Sequence, residues 1–302
     1  MGRLLKYLRV DKFPTVWCAG CGVGIVMGCI IRVVDKLKVN PDKVVIVSGI
    51  GCSGRMPGYL DFNTLHTTHG RALVFATGLK LAKPSLEIIV VMGDGDALAI
   101  GGNHLIHAAR RNVNLTSIII NNWIYGMTGG QYSPATPRGA FATTAPYGNL
   151  ESPFEVPELV RGSGASYVAR GTVYHTRQLD RLIERGMRKE GFGLVEVLSP
   201  CPVGFGRRNQ MKSAVAMMRW QKDRAVSLKR ASKMNEEELK DKIITGVLFE
   251  REAPEYTQEY ERLMSRVRTR KETGKREVQT GKREVQTGKR EVQAGMGEVH
   301  EE

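Results

Sequence analysis

Short runs of β-branched residues alternate with longer stretches in which apolar residues recur every three or four positions, from residue 24 to residue 198. The runs Val44–Ser48, Ile88–Met92 and Ser117–Ile120 predict strands, with further candidates at Ala165–Ala169 and Leu194–Leu198. The stretches between them predict helices over Gly24–Leu37, Gly70–Leu81, Gly102–Arg111 and Thr176–Lys189. This alternation describes an α/β fold: βα units around a mostly parallel sheet flanked by helices.

Each of the first three strands runs directly into a polar or glycine-rich segment. These are Gly49-Ile50-Gly51-Cys52-Ser53, Gly93-Asp94-Gly95-Asp96 and Asn121-Asn122-Trp123. Open α/β sheets bind ligands at the carboxyl ends of their strands. Three such segments on one edge therefore predict a single site.

The composition changes after Cys201. The chain carries +14 net charge, and residues 203–233 hold nine Lys and Arg against one Asp. Residues 1–40 hold seven against two. A charged helical pattern follows over Glu236–Arg270, and the chain closes on three copies of Thr-Gly-Lys-Arg-Glu-Val-Gln at 273–293. One Val and one Gly per seven residues make a poor coiled coil. The expected organisation is a site-bearing domain over 1–202, a basic and helical C-terminal extension over 203–270 and a disordered repeat tail over 271–302.

Basic charge invites a nucleic-acid reading, but no zinc-finger spacing, helix-turn-helix pattern or RNA-binding aromatic motif accompanies it. No apolar run is long enough to cross a bilayer and no secretory signal opens the chain, so no membrane role and a cytoplasmic location are expected. In that compartment five cysteines point to metal or redox chemistry over disulfides.

Gly93-Asp94-Gly95-Asp96, followed about thirty residues later by Asn121-Asn122, is similar to the diphosphate-binding motif of thiamine-diphosphate enzymes. Mg²⁺ takes near-octahedral oxygen ligands and bridges cofactor phosphates through one or two protein groups. The resemblance implies Asp94, the Asn122 amide oxygen and the Ile124 carbonyl as its ligands. The cysteines are less specific alone. Trp17-Cys18-Ala19-Gly20-Cys21 fits a thioredoxin-like site, the start of a zinc site or an iron–sulfur site. Cys52 in a glycine-flanked turn and Cys201 between two prolines complete a set of four, enough for a [4Fe–4S] cluster, with zinc as the rival. Cys29 falls in mid-helix among apolar residues and is expected in the core. The glycines at 20, 22 and 24 follow no strand and do not form a dinucleotide fingerprint.

Six motifs in order carry a wider resemblance. They are Trp-Cys-Ala-Gly-Cys-Gly (17–22), Gly-Ile-Gly-Cys-Ser-Gly (49–54), His66-Thr-Thr-His69-Gly-Arg71, Gly-Asp-Gly-Asp (93–96), Asn-Asn-Trp-Ile-Tyr-Gly-Met-Thr-Gly-Gly-Gln (121–131) and Pro-Cys-Pro (200–202). Residues 14 to about 215 resemble the β subunit of 2-oxoacid:ferredoxin oxidoreductases, and Gly204–Asn209 resembles the bacterial branch acting on 2-oxoglutarate. The resemblance implies the PP-type module of the thiamine-diphosphate-binding fold. It implies Cys18, Cys21, Cys52 and Cys201 on one [4Fe–4S] cluster. Ile50, Gly51, Cys52, Ser53, His66, His69, Gly95, Asp96, Gly126 and Met127 would line the thiamine diphosphate, with His69 and Arg71 in catalytic roles. His104 and His107 are expected to be structural.

The implied reaction is the coenzyme A-dependent oxidative decarboxylation of a 2-oxoacid, 2-oxoglutarate first and pyruvate or branched-chain acids as alternatives, with electrons passing through the cluster to ferredoxin. Activating the cofactor in this class requires a Glu from a second, related domain. Residues 203–302 look too polar and strand-poor to supply it, so an α-type partner subunit is expected. A non-redox thiamine decarboxylase or synthase with a zinc site, and a non-enzymatic metal scaffold, are the competing readings.

Overall fold

The computed structural model describes residues 2–211 and 213–271. The triple repeat of 273–293 lies outside the described residues. The strands, in chain order, are β1 (Val44–Ser48), β2 (Asn63–His66), β3 (Glu87–Gly93), β4 (Leu115–Asn121), β5 (Ile124–Tyr125), β6 (Gln131–Tyr132), β7 (Tyr167–Thr172), β8 (Phe192–Leu198), β9 (Ala225–Ser227) and β10 (Ile243–Glu250). The helices used below are α1 (Val23–Leu37), α2 (Ala72–Ala82), α3 (Asp94–Leu98), α4 (Gly102–Arg111), α5 (Val156–Ser163), α6 (Thr176–Arg188) and α7 (Ala214–Arg224).

Eight strands form one sheet in the order β2-β1-β3-β4-β8-β7-β10-β9, and β5-β6 form a small hairpin. Neighbours from β2 to β7 are parallel, and β10 runs antiparallel to β7. Every residue of β1, β4 and β8 is buried. These strands are rich in apolar residues because helices cover both faces of the sheet, although β4 and β8 also bury polar groups such as Ser117 and Glu196. Residues of α1 and α6 join one core cluster, and residues of α2, α4 and α5 join the other. The order β2-β1-β3-β4 reverses direction at β1 and β3, which opens a crevice at their carboxyl ends.

The predicted strands and helices form close to their expected limits. The helix expected from Gly70 begins at Ala72, because Gly70 takes a left-handed φ of +72°. The short helix α3 starts at Asp94, so both carboxylates lie in its first turn. The stretch after residue 202, read from its charge as helical, also adds β9 and β10 to the sheet. Residues 1–257 form one unit and 258–302 a second, in which 258–271 are helical. Among the described residues no helix is long and apolar enough to cross a membrane.

Candidate active site

The crevice at β1 and β3 holds a pocket lined by Ile50–Ser53, His69, Gly93–Asp96, Asn122 and Ile124–Thr128, with Val23 and Ile120 behind them. Three separate strand ends thus meet at one place. Of the residues expected around the cofactor, Ile50, Gly51, Cys52, Ser53, His69, Gly95, Asp96, Gly126 and Met127 line it. His66 and Arg71 do not. The His66 ring nitrogen Nδ1 lies 3.1 Å from Ser48 Oγ, and Arg71 lies 2.5 Å from His104 Nε2 on the exposed side of α4.

Asp94 is buried, and burial pushes its carboxyl up to about 6. Ser133 donates its hydroxyl to Asp94 Oδ2 and opposes that rise. Asp94 Oδ1 faces the Asn122 amide, one end of which lies 3.1 Å from it and 2.7 Å from the Ile124 carbonyl oxygen. With its nitrogen at that end the amide bridges the two oxygens. With its oxygen there it accepts the Ile124 N–H at 3.3 Å, and three oxygens face one another. The two spacings from the Asn122 oxygen are close to the edge of an Mg²⁺ octahedron, about 2.9 Å for metal–oxygen bonds near 2.05 Å. The donor set therefore fits Mg²⁺.

Asp96 works differently. Its Oδ1 accepts the Gly70 N–H at 2.6 Å and lies 3.7 Å from His69 Nδ1. A methyl group at Gly49 would fall 2.0 Å from Asp96 Oδ2, so only glycine lets the β1 loop close over this carboxylate. Asp96 ties together the loops that follow β1, β2 and β3. Both Asp96 Oδ2 and His69 Nδ1 are buried without a hydrogen-bond partner, an arrangement that costs free energy unless a ligand or solvent answers it. The Tyr125 hydroxyl donates to the Gly95 carbonyl at 3.1 Å and closes the pocket wall between them.

Four thiols surround the other side of the loop 124–128. A carbon added at Gly126 would sit 3.4 Å from Cys201 Sγ and 3.5 Å from Cys52 Sγ. Burial raises Cys21 to about 12 and Cys52 to about 11, and the neighbouring thiols add to both. Cys201 is raised for the same reason, with Cys18 adding to it. Cys29 stands apart in α1, its sulfur accepting from Arg32 at 3.0 Å. Thiols raised in this way become thiolates when a metal takes the proton's place. Among the described residues no three His, Cys, Asp or Glu side chains stand close enough to hold a single ion.

Residues 49–197 match the family described as thiamine pyrophosphate enzyme, C-terminal TPP binding domain. The chain is 54% identical over 251 residues to the 2-oxoglutarate synthase subunit KorB of Methanothermobacter marburgensis, covering 83% of this chain and 88% of that protein. It is 48% identical to the subunit of the same name from Methanocaldococcus jannaschii, covering 88% and 98%. The chain belongs to the β-subunit family of the 2-oxoacid:ferredoxin oxidoreductases. A solved structure also superposes on it, the 2-oxoglutarate:ferredoxin oxidoreductase from Magnetococcus marinus with 2-oxoglutarate, coenzyme A and succinyl-CoA bound. That match has a TM-score of 0.78 at 33% identity and covers 87% of this chain and 90% of the other. As a β subunit of this oxidoreductase family, the chain carries a thiamine-diphosphate domain and works with a partner subunit.

Ser133, Thr136, Tyr125 and Glu196 escaped the reading of the sequence. Each acts through a contact between segments far apart in the chain, and no local pattern marks such a partner. The one available signal was Glu196 itself, a charge inside the apolar run Leu194–Leu198.

Proposed function

We propose that this chain is the cofactor-binding β subunit of a cytoplasmic 2-oxoglutarate:ferredoxin oxidoreductase. The substrate is 2-oxoglutarate, coenzyme A takes the acyl group, and ferredoxin takes the electrons. The loop Asn122–Met127 carries this reading. At one end it offers the Asn122 amide and the Ile124 carbonyl to the metal, and at the other Gly126 abuts the sulfurs of Cys52 and Cys201. The site of decarboxylation and the first electron acceptor thus share one short loop, as a redox thiamine enzyme needs and a non-redox one does not.

Asp94, Asn122 and the Ile124 carbonyl would hold Mg²⁺, which neutralises the diphosphate. Cys18, Cys21, Cys52 and Cys201 would hold a [4Fe–4S] cluster. Thiamine diphosphate, when bound, supplies the carbanion chemistry at the 2-oxo carbon. The chain's own residues orient it. The amides at the start of α3 would donate to the diphosphate, and His69, whose Nδ1 is buried without a partner, would offer a ring nitrogen in the same region. Met127 and Ile50, both partly exposed, present apolar surface at the pocket mouth, where the partner subunit completes the enclosure.

The test is anaerobic co-purification with the partner subunit, assay of iron, Mg²⁺ and thiamine diphosphate, and a 2-oxoacid panel with coenzyme A and ferredoxin. One cofactor and four irons per chain, with 2-oxoglutarate the fastest substrate, is the expected result. A colourless protein that decarboxylates without reducing ferredoxin overturns the redox assignment.

A further inference from the structure

Glu196 lies inside β8 with 1% exposure, a buried carboxylate that the proposed chemistry does not use. The register sets it between Ile119 of β4 and Arg170 of β7. Arg170 Nε donates to Glu196 Oε2 at 2.6 Å, and the same guanidinium reaches Glu155 at the surface at 2.9 Å. Glu196 Oε1 accepts from Asn121 Nδ2 at 2.8 Å. Asn121 Oδ1 in turn accepts the Trp123 N–H at 3.2 Å.

Trp123 is the pivot. Its φ is +63°, a left-handed conformation that is uncommon for a bulky residue. Its N–H is held by Asn121, and its carbonyl accepts the Thr136 hydroxyl at 2.5 Å. This turn brings the Asn122 side chain and the Ile124 carbonyl back toward Asp94.

A buried ion pair is a poor source of stability, because desolvation offsets most of the attraction. Its placement here has a different consequence. An amide can present either end to a neighbour, whereas a carboxylate only accepts. With Arg170 occupying Oε2, Oε1 is left for the Asn121 NH₂, and the Asn121 oxygen must then point at Trp123.

We propose that Glu196, anchored by Arg170, is a positioning residue for the metal loop: it orients the Asn121 amide, which holds Trp123 left-handed and so aims Asn122 and the Ile124 carbonyl. The inference rests on the reading of Asp94, Asn122 and Ile124 as the Mg²⁺ ligands. Glutamine at 196 offers one acceptor where glutamate offers two. Arg170 claims it, the new NH₂ faces the Asn121 NH₂, and the Asn121 amide reverses.

The experiment measures the Mg²⁺ concentration needed for half-maximal thiamine diphosphate retention in the co-purified complex, beside iron content and thermal midpoint. Glu196→Gln should raise it at least tenfold, as loss of a group that orients metal ligands does, with iron content kept and retention restored by excess Mg²⁺. Asn121→Thr cuts the same link from the other side and should do the same, and it decides the matter if Glu196→Gln fails to fold. Glu155→Gln removes only the charge at the surface end of the network and should leave Mg²⁺ dependence unchanged. Asp94→Asn separates the two claims. If it abolishes retention while Glu196→Gln and Asn121→Thr leave Mg²⁺ dependence untouched, the positioning role is wrong and the metal site stands. If Asp94→Asn also changes nothing, the metal site itself is wrong. An equal rise in Glu155→Gln overturns the inference by showing general loosening.

Discussion

Ser133 donates its hydroxyl to Asp94 Oδ2, which leaves Asp94 Oδ1 turned toward Asn122 and the Ile124 carbonyl. The two residues are 39 positions apart, and both are buried. Ser133 is itself pinned, its N–H donating to Thr136 Oγ1 at 2.8 Å. Ser133→Ala should therefore free the carboxylate to rotate. The expected outcome is Mg²⁺ affinity weakened by about tenfold or more, with a smaller loss of stability, on the order of 1 kcal/mol for one hydrogen bond. Magnesium titration of cofactor retention, with urea denaturation alongside, checks both. Unaltered affinity would mean that the hydroxyl only fills space.

The same carboxylate sets a pH dependence. Burial holds Asp94 up at about 6, against an ordinary value of 3.8. The folded chain then binds more protons than the unfolded chain between those values. Cofactor-free stability from this group should fall as pH rises from about 4 to 6, by roughly 3 kcal/mol at most. Asp94→Asn should flatten that slope, stabilise the cofactor-free protein at pH 7 and abolish Mg²⁺ and thiamine diphosphate retention. Chemical denaturation at several pH values reads the slope, and a variant with full cofactor occupancy would reject the metal site.

Cys52→Ser and Cys201→Ser should each lose or degrade the cluster, because both sulfurs border Gly126 at the loop that also faces the cofactor. Cys29→Ser should keep it. That sulfur is buried in α1 against Arg32, and a hydroxyl can accept the same donor. Iron content and the visible absorption of anaerobic samples distinguish the two classes. Normal iron in the Cys201 variant would show that another group completes the set.

Charge around the thiols leads to a fourth test. The basic segment 1–40 does not lie wholly beside the thiols. Arg3 pairs with Asp35 at 2.7 Å, in the last turn of α1, about 20 Å along the helix from the Cys21 end. Arg208 instead binds the Gly204 carbonyl beside Cys201, and Arg219 and Lys222 line a groove with Cys21. If electrons leave beside these cysteines, reversing Arg208, Arg219 and Lys222 to Glu should slow ferredoxin reduction and weaken its salt dependence. Reduction of a neutral dye should stay unchanged, and Arg3→Glu should have no effect on either rate. A matching fall in dye reduction would assign these residues to assembly or to coenzyme A.

Much of the fold was legible because β1, β3, β4 and β8 are apolar at nearly every position and the helices between them keep a 3.6-residue period. Local pattern decides such elements. β2 escaped notice because its residues are mostly polar and exposed or half-buried, and β10 because its apolar run is interrupted by Thr245-Gly246 within a charged stretch; pairing with β1 and β7 makes them strands. The loops at 49–53, 93–96 and 121–127 were visible as polar segments following apolar runs, and the parallel sheet explains why they meet.

The amino-acid sequence by itself determined which residue types stand at the carboxyl ends of β1, β3 and β4: glycines, Cys52, the carboxylates Asp94 and Asp96 and the amides Asn121 and Asn122, with Cys18, Cys21 and Cys201 at separate positions. Residue chemistry and the approximate limits of these strands follow from identity and pattern, which are local. The tertiary structure alone decided how those groups are aimed. Ser133 turns Asp94, Glu196 and Arg170 lock the Asn121 amide, and Asp96 ties three loops together while leaving His69 Nδ1 free. It also placed Arg3 at the far end of α1. The physical reason is range. A hydrogen bond acts over about 3 Å in space and carries no trace in sequence separation, so orientation is known only when the chain has closed on itself.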